Sequence, residues 1–534
     1  MFRRFMKKIS DIFGKIKTWT NSHKTLFALI ITALFVLIHI PLVINHEIWD
    51  DEATVWALSK EVNLGNVYEV NSVEPHPFLW ELMLAPLSQS GMPIISMNIL
   101  SLALVALAVF LFFRFAPFGY PAKFIFLLSN AIAYYNPVIA RDYSLIPLAV
   151  CLVCMAYGKR HEKPLRYGLA LAFMAQTHFL MYGLIGILVV GFVFEDTQKK
   201  AKLGKMLKNI LLVMVPVIAS IAITIPMVVG SMNGQALITE KDVNASTDIG
   251  TLFQNSTEAF VGVYNPALTV VLCIILIAVI LAFFAENIKI AFYTFVSVAF
   301  WFFVMSFIYK GYYVIEQKVS IITLFILLGA WLIVLEKNEK KNVVSKILEH
   351  SEIIKYLRLK MKRPAIVMAC FFALLSVPCT VVSAVEDMNR EFSSSRYISS
   401  FINDKFEDGS LVIRGDVISS VGISISTLVQ VNKKIDFFSV PLNDFDYESK
   451  LKFDGKDHEQ YQTFSYLADE DLQKMFDYFG EKYEHIYYIS AIPGCSNLEY
   501  YNEPVVSKYE NLGRIENKEY IQTRQYPMQV FKIK

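Results

Sequence analysis

The sequence predicts a polytopic α-helical membrane protein that ends in a separate α/β domain. Three observations predict it. Of the 534 residues, 55% are hydrophobic and the mean hydropathy is +0.43, well above a soluble enzyme. Apolar runs of bilayer length recur, beginning with TLFALIITALFVLIHIPLVI. Beyond residue 385 the hydropathy falls and short strand-like runs set in. With a net charge of only +2, nucleic acid is not an expected partner.

Taken in order, residues 1–24 are basic and amphipathic, with Phe2, Phe5, Met6, Ile9 and Phe13 on one face. They read as a segment lying on the cytoplasmic leaflet. The apolar run that follows is too long for a signal peptide and reads as an uncleaved first span. Apolar runs then predict helices near 25–45, 94–113, 121–139, 143–158, 165–178, 180–194, 208–230, 264–285, 288–309, 313–335 and 364–385. About eleven spans therefore make up a membrane domain over 25–385, with a long first loop at 46–93. The basic stretches are the N-terminal tail, GKRHEKPLR (158–166), KKAKLGKMLK (199–208) and 337–363. With eleven spans all four share one side, which the positive-inside bias makes cytoplasmic. The outer side then receives WDDEATVW, EPHPFLW, ARDYS, QTHF, the 231–262 loop, YKGYYVIEQK and all of 386–534.

Residues 386–534 hold 25 acids against 17 bases, the reverse of the inner loops. SLVIRG, KIDFFSV, HIYYIS and MQVFKIK read as strands, and DEDLQKMFDYFGEKY as a helix with Asp469 and Glu470 near its start. Strands alternating with helices predict a small α/β layer structure. It carries no nucleotide-binding glycine pattern and no Ser-His-Asp spacing, so a cap or acceptor-recognition role is expected. Five of the six cysteines lie in apolar runs as small core side chains, and Cys495 has no obvious partner. The CxxC of Cys151 and Cys154 falls on a membrane helix, where zinc or redox use is not expected.

The polar clusters on the outer side carry the chemistry. In HEIWDDEATVWALSKE, Asp50, Asp51 and Glu52 stand together ahead of apolar residues at Val55, Leu58 and Val62. That pattern predicts an interfacial helix with acids at its N-terminus, where the helix dipole favours them. Capping accounts for one acid; three adjacent carboxylates repel one another and need a further reason. In EPHPFLWELMLAPL, Pro75 and Pro77 hold His76 extended, placed to hold a carboxylate or phosphate, unless the histidine is incidental to a turn. Arg141 offers a planar donor fork suited to phosphate oxygens, or pairs with Asp142 beside it. Lys318 and Lys310 are further cations, with snorkelling as the other reading. His178 is expected between two helices, lining a pocket or satisfying a turn, and Glu316 stands at the start of a late helix.

Together, DDEATVWA, EPHPFLWE and ARDYSL resemble the motifs of polytopic glycosyltransferases that use polyprenyl-phosphate sugars, the GT-C superfamily of protein O-mannosyltransferases and aminoarabinose transferases. The resemblance covers the membrane part and hardly touches 386–534. It departs at Phe78, where the family carries a second proline, and at the extra acid Asp50. It implies an inverting transferase in the cell membrane, taking a sugar from a polyprenyl-phosphate donor to a hydroxyl on a glycan, lipid or protein. Asp51, or Asp50 in its place, would be the base and Glu52 its neighbour. His76, Arg141, Asp142, Tyr143, His178, Glu316 and Lys318 would line the donor site. Relatives differ in their use of a divalent metal, which stays open. A lipid-linked sugar transporter or flippase is the competing expectation, followed by a polysaccharide polymerase or ligase, and by a scaffold that presents the C-terminal domain.

Overall fold

The computed structural model describes residues 18–70, 76–198, 203–235, 249–263, 265–308, 315–336, 363–389, 395–414, 427, 429–439, 469–491, 503–515 and 528–534. The basic segment expected over 1–24 lies mostly outside them, as do Pro75 and Lys310. Two compact units result: Met1–Ile44 with Leu58–Val385, and Asn45–Ala57 with Glu386–Lys534.

The helices run in order α1 (Lys24–Asn45), α2 (Asp50–Ser59), α3 (Leu79–Gln89), α4 (Ile95–Phe115), α5 (Tyr120–Leu127), α6 (Ile146–Tyr157), α7 (Pro164–Ala175) and α8 (Tyr182–Gln198). They continue as α9 (Leu203–Gln235), α10 (Ile249–Val261), α11 (Pro266–Glu286), α12 (Ile288–Phe307), α13 (Glu316–Leu335), α14 (Pro364–Leu375) and α15 (Val377–Asn389). Eight helical stretches among the described residues are long and apolar enough to cross a membrane. In the first unit α13 is buried on every face from Gln317 to Ile333, its polar residues gathered towards its start, which puts it at the centre. The flanking helices turn apolar side chains outward, as Leu211, Val215 and Ile218 on α9 and Val270, Ile274 and Ile277 on α11 do. Such faces suit lipid as the solvent and not water. Neighbouring helices approach closely at small residues. A Cβ added at Gly168 of α7 would lie 2.6 Å from the Leu212 carbonyl oxygen on α9.

Eight long helices are found where eleven spans were expected, and the difference lies at 121–178. α5 has 8 residues and is followed by single turns at Asn130–Ala133 and Tyr135–Val138. The chain breaks at Tyr134 (φ −146°, ψ −63°), next to Pro137, whose missing N–H weakens any continuous helix. α6 restarts with Pro147 in its first turn, and α6 and α7 have 12 residues each. The expected 231–262 loop is also corrected: α9 runs on to Gln235 and α10 fills Ile249–Val261.

The broken segment is buried, so its carbonyls need partners. Neighbouring helices supply them: His39 Nε2 to Ala133, Asn98 Nδ2 to Val138 (3.0 Å), and Ser101 Oγ to Asn136 (2.7 Å). Gln317 Nε2 donates to both Tyr135 (3.1 Å) and Ile139 (3.2 Å). Irregular backbone inside a membrane bundle persists only where protein satisfies it in this way. At the other end of α6, α8 and α13 an ionic network ties the helices together. Arg160 meets Glu195 at 2.8 Å and Glu336 at 2.9 Å, Lys289 bonds Glu195 at 2.6 Å, and His161 bridges Glu195 and Asp196.

The second unit contains α16 (Ser395–Lys405) and α17 (Asp469–Gly480), with strands β1 (Ser410–Arg414), β2 (Ile435–Ser439), β3 (Ile486–Ala491), β4 (Glu510–Ile515) and β5 (Met528–Lys532). The strand order is β2-β1-β3-β5-β4; β1 pairs parallel with β2 and β3, and β5 antiparallel with β3 and β4. Period-two alternation sends Leu411, Ile413, Ile486 and Tyr488 to the face covered by α17. Val412, Tyr487 and Ile489 go to the face covered by α16. Four of the five strands fall on segments legible as strands; β4, ENLGRI, lacks the alternating apolar pattern and was not expected.

Candidate functional site

The break after α5 delivers Arg141, Asp142 and Tyr143 at the start of α6. Arg141 is extended (φ −131°, ψ 171°) and leads into a single 3₁₀ turn, Asp142–Leu145. His178 is extended too (φ −164°, ψ 143°) and caps the short turn Phe179–Met181 that opens into α8. His76 precedes α3, and Lys318 sits in the first turn of α13, whose Lys318 carbonyl accepts from Trp301 Nε1 at 2.8 Å. These six side chains come from four stretches of chain, and all are buried. All belong to the first unit.

Their geometry is tight. The His76 and His178 rings lie with centroids 4.9 Å apart, tilted by 53°, and His76 Nδ1 lies 3.7 Å from Asp142 Oδ2. His178 Nε2 is 3.0 Å from the Tyr143 hydroxyl, and the Leu180 N–H donates to His178 Nδ1 at 3.0 Å. That backbone donor fixes the tautomer: the neutral ring carries its proton on Nε2 and donates it to Tyr143. Burial holds His76 well below the usual imidazole range, and His178, Arg141 and Lys318 push the same way.

One ligand atom from each of His76, Asp142 and His178 falls within 4.8 Å of the others, a spacing that suits a metal ion. The surroundings do not fit one. His178 Nδ1 already accepts a backbone proton and Nε2 carries its own, so neither lone pair is available without rearrangement. Arg141 and Lys318 add two positive charges that oppose a cation. Donors and cations together suit an oxyanion.

The acids of the first loop have separate roles. All three occupy the first turn of α2, in the second unit. Glu52 Oε2 accepts from the Trp49 N–H at 3.3 Å, the reach-back of a capping box, and from His46 Nε2 at 3.0 Å. His46 Nδ1 lies 3.1 Å from Asp387 Oδ2. Glu52 is fully buried and committed to holding the helix start, whereas Asp50 and Asp51 are half-buried. Glu316 stands apart from the histidine cluster; its neighbours are Tyr135, Cys379 and Glu258. Asp387 gave no signal in the sequence. A histidine ahead of three acids was legible, but its second carboxylate is 341 positions away.

Fold and site together define an α-helical membrane protein of many spans with a buried, cation-rich cluster and an appended α/β unit. No protein-family model, no curated protein and no solved structure matches this chain.

Proposed function

We propose that the protein is a membrane glycosyltransferase that moves a sugar from a polyprenyl-phosphate donor to an acceptor hydroxyl. The observation that supports it most is the convergence of Arg141, Lys318 and two histidines around a helix break, a setting that suits a lipid-borne phosphate. In this reading Arg141 and Lys318 take the charge that develops on the phosphate as the anomeric C–O bond breaks. His178 and Tyr143, bonded to each other at 3.0 Å, hold the cluster in place. The acceptor oxygen forms the new bond with inversion, and its proton passes to a carboxylate. Asp51 is the proposed base, with Asp50 as the alternative; Glu52 becomes a positioning residue through its bonds to His46 and Trp49. The phosphate leaves as the polyprenyl phosphate. The eleven-crossing topology, with the N-terminus cytoplasmic and 386–534 outside the cytoplasm, belongs to the same proposal. The passage 120–139, α6 and α7 complete the count.

A lipid-linked sugar transporter is the second reading, because a buried broken helix flanked by ionisable groups also serves transport. Reconstituted protein separates the two. Asp51→Asn should keep polyprenyl-phosphate binding and lose transfer by about 100-fold or more. Arg141→Gln and Lys318→Gln should weaken binding of the lipid phosphate itself. A wild-type protein that moves the donor across vesicles without forming a glycosidic bond would replace the transferase reading with transport. Unchanged polyprenyl-phosphate binding in both cation variants would remove the cluster as a phosphate site.

A further inference from the structure

Three cations gather at the N-terminal end of α1, away from the histidine cluster. Two hydrogen bonds clip them together. Arg114 Nε, in the last turn of α4, donates to Thr25 Oγ1 at 2.9 Å, beside Lys24. Lys123 Nζ, on α5, donates to the Phe113 carbonyl at 2.7 Å, beside Arg114. Lys24 and Arg114 both act on Lys123 as like charges. Lys123 is only 5% exposed. Among the described residues none of the three forms an ion pair with a carboxylate. Burying one ammonium next to two other cations costs several kcal/mol unless something offsets it.

The surroundings indicate what does. Lys123 lies over the Tyr120 and Phe113 rings, at 5.7 and 6.0 Å. Phe27 packs edge-on against Tyr120 at 4.8 Å, and Trp19 is partly exposed nearby in sequence. Aromatic rings beside cations at a helix end are the composition of a headgroup layer. Leu26, Leu29 and Ile30 on α1 and Phe124 and Leu128 around the end of α5 turn outward, offering apolar surface for acyl chains. We propose that Lys24, Arg114 and Lys123 form a binding site for the phosphodiester of an anionic membrane phospholipid. The lipid would neutralise the cluster and hold α1 against α4 and α5. This proposal does not depend on the transferase reading.

Full-length protein in nanodiscs of phosphatidylcholine, with and without phosphatidylglycerol, tests it. Thermal unfolding should shift upward with phosphatidylglycerol, and the shift should shrink at high salt. Native mass spectrometry should show retained phosphatidylglycerol, bound about fivefold more weakly for each cation removed, which corresponds to roughly 1 kcal/mol per interfacial cation. Lys24→Gln, at an exposed position, is the mild variant, and Arg114→Gln with Lys123→Gln the severe one. Equal lipid retention in wild type and Lys24→Gln, or a severe variant that folds and still shows the full shift, would overturn the proposal. Inorganic phosphate reproducing the whole stabilisation would also overturn it, since the site would then take a free anion.

Discussion

His46 places one ring nitrogen against Glu52 and the other against Asp387, at 3.0 and 3.1 Å. Only the imidazolium can donate to both carboxylates. Burial opposes that charge, but Glu52 and Asp387 override it and raise the group from 6.5 to about 10. An unfolded histidine releases its proton near 6.5, whereas the folded one keeps it to about 10. The clamp therefore contributes fully below pH 6.5 and its contribution is lost as the pH rises to 10. Thermal melts between pH 6.5 and 10 should show stability falling in the wild type and a flatter profile in His46→Gln. Removing the ring with His46→Ala should cost about 3–5 kcal/mol, the usual loss when one partner of a buried ion pair is deleted. If His46→Gln melts with the wild-type pH slope, the imidazolium clamp is wrong. Asp51→Asn should leave these melts unchanged while lowering the proposed transfer by about 100-fold or more, which separates a chemical role from a structural one at neighbouring acids.

At the scale of elements, α7 and α9 meet at Gly168, where a methyl group would sit 2.6 Å from the Leu212 carbonyl oxygen. Backbone cannot yield as a flexible side chain does. Gly168→Ala should destabilise the bundle by about 1–3 kcal/mol, the range for overpacking, measured as reduced resistance to denaturant in detergent. An unchanged midpoint would mean that α7 and α9 are further apart. The break at Tyr134 is the other decisive element. It exists because His39, Asn98, Ser101 and Gln317 satisfy its carbonyls, and it turns what would be one span into the delivery route for Arg141 and Asp142. Apolar composition marks 121–139 as membrane-embedded, but the partners that permit a break lie on three other helices and leave no local trace.

For the whole molecule, the charge distribution makes a topological prediction. Reporter tags at 162 and at the C-terminus should label on opposite sides of the membrane, with the tag at 162 cytoplasmic. Labelling of both from one side would refute the eleven-crossing arrangement. α6, α8 and α13 each begin near the histidine cluster and end in the Arg160–Glu195–Glu336 network, so the bundle has two chemically different ends.

The membrane class was legible in the chain, because apolar length and composition act locally and need no partner to be read. The strands β1, β2, β3 and β5 were legible too, since alternation is a property of each segment. The sequence singled out His76 between its prolines and Arg141, His178 and Lys318 at the ends of apolar runs, and the resemblance of ARDYSL added Asp142 and Tyr143. Only the packed chain shows that His46 bridges Glu52 and Asp387, that Glu316 has Tyr135 and Cys379 as neighbours, and that Arg141 and Lys318 act on the same two histidines. Each of those outcomes depends on charge and hydrogen bonding between groups far apart in the chain, and such energies exist only once the packing has brought the groups together.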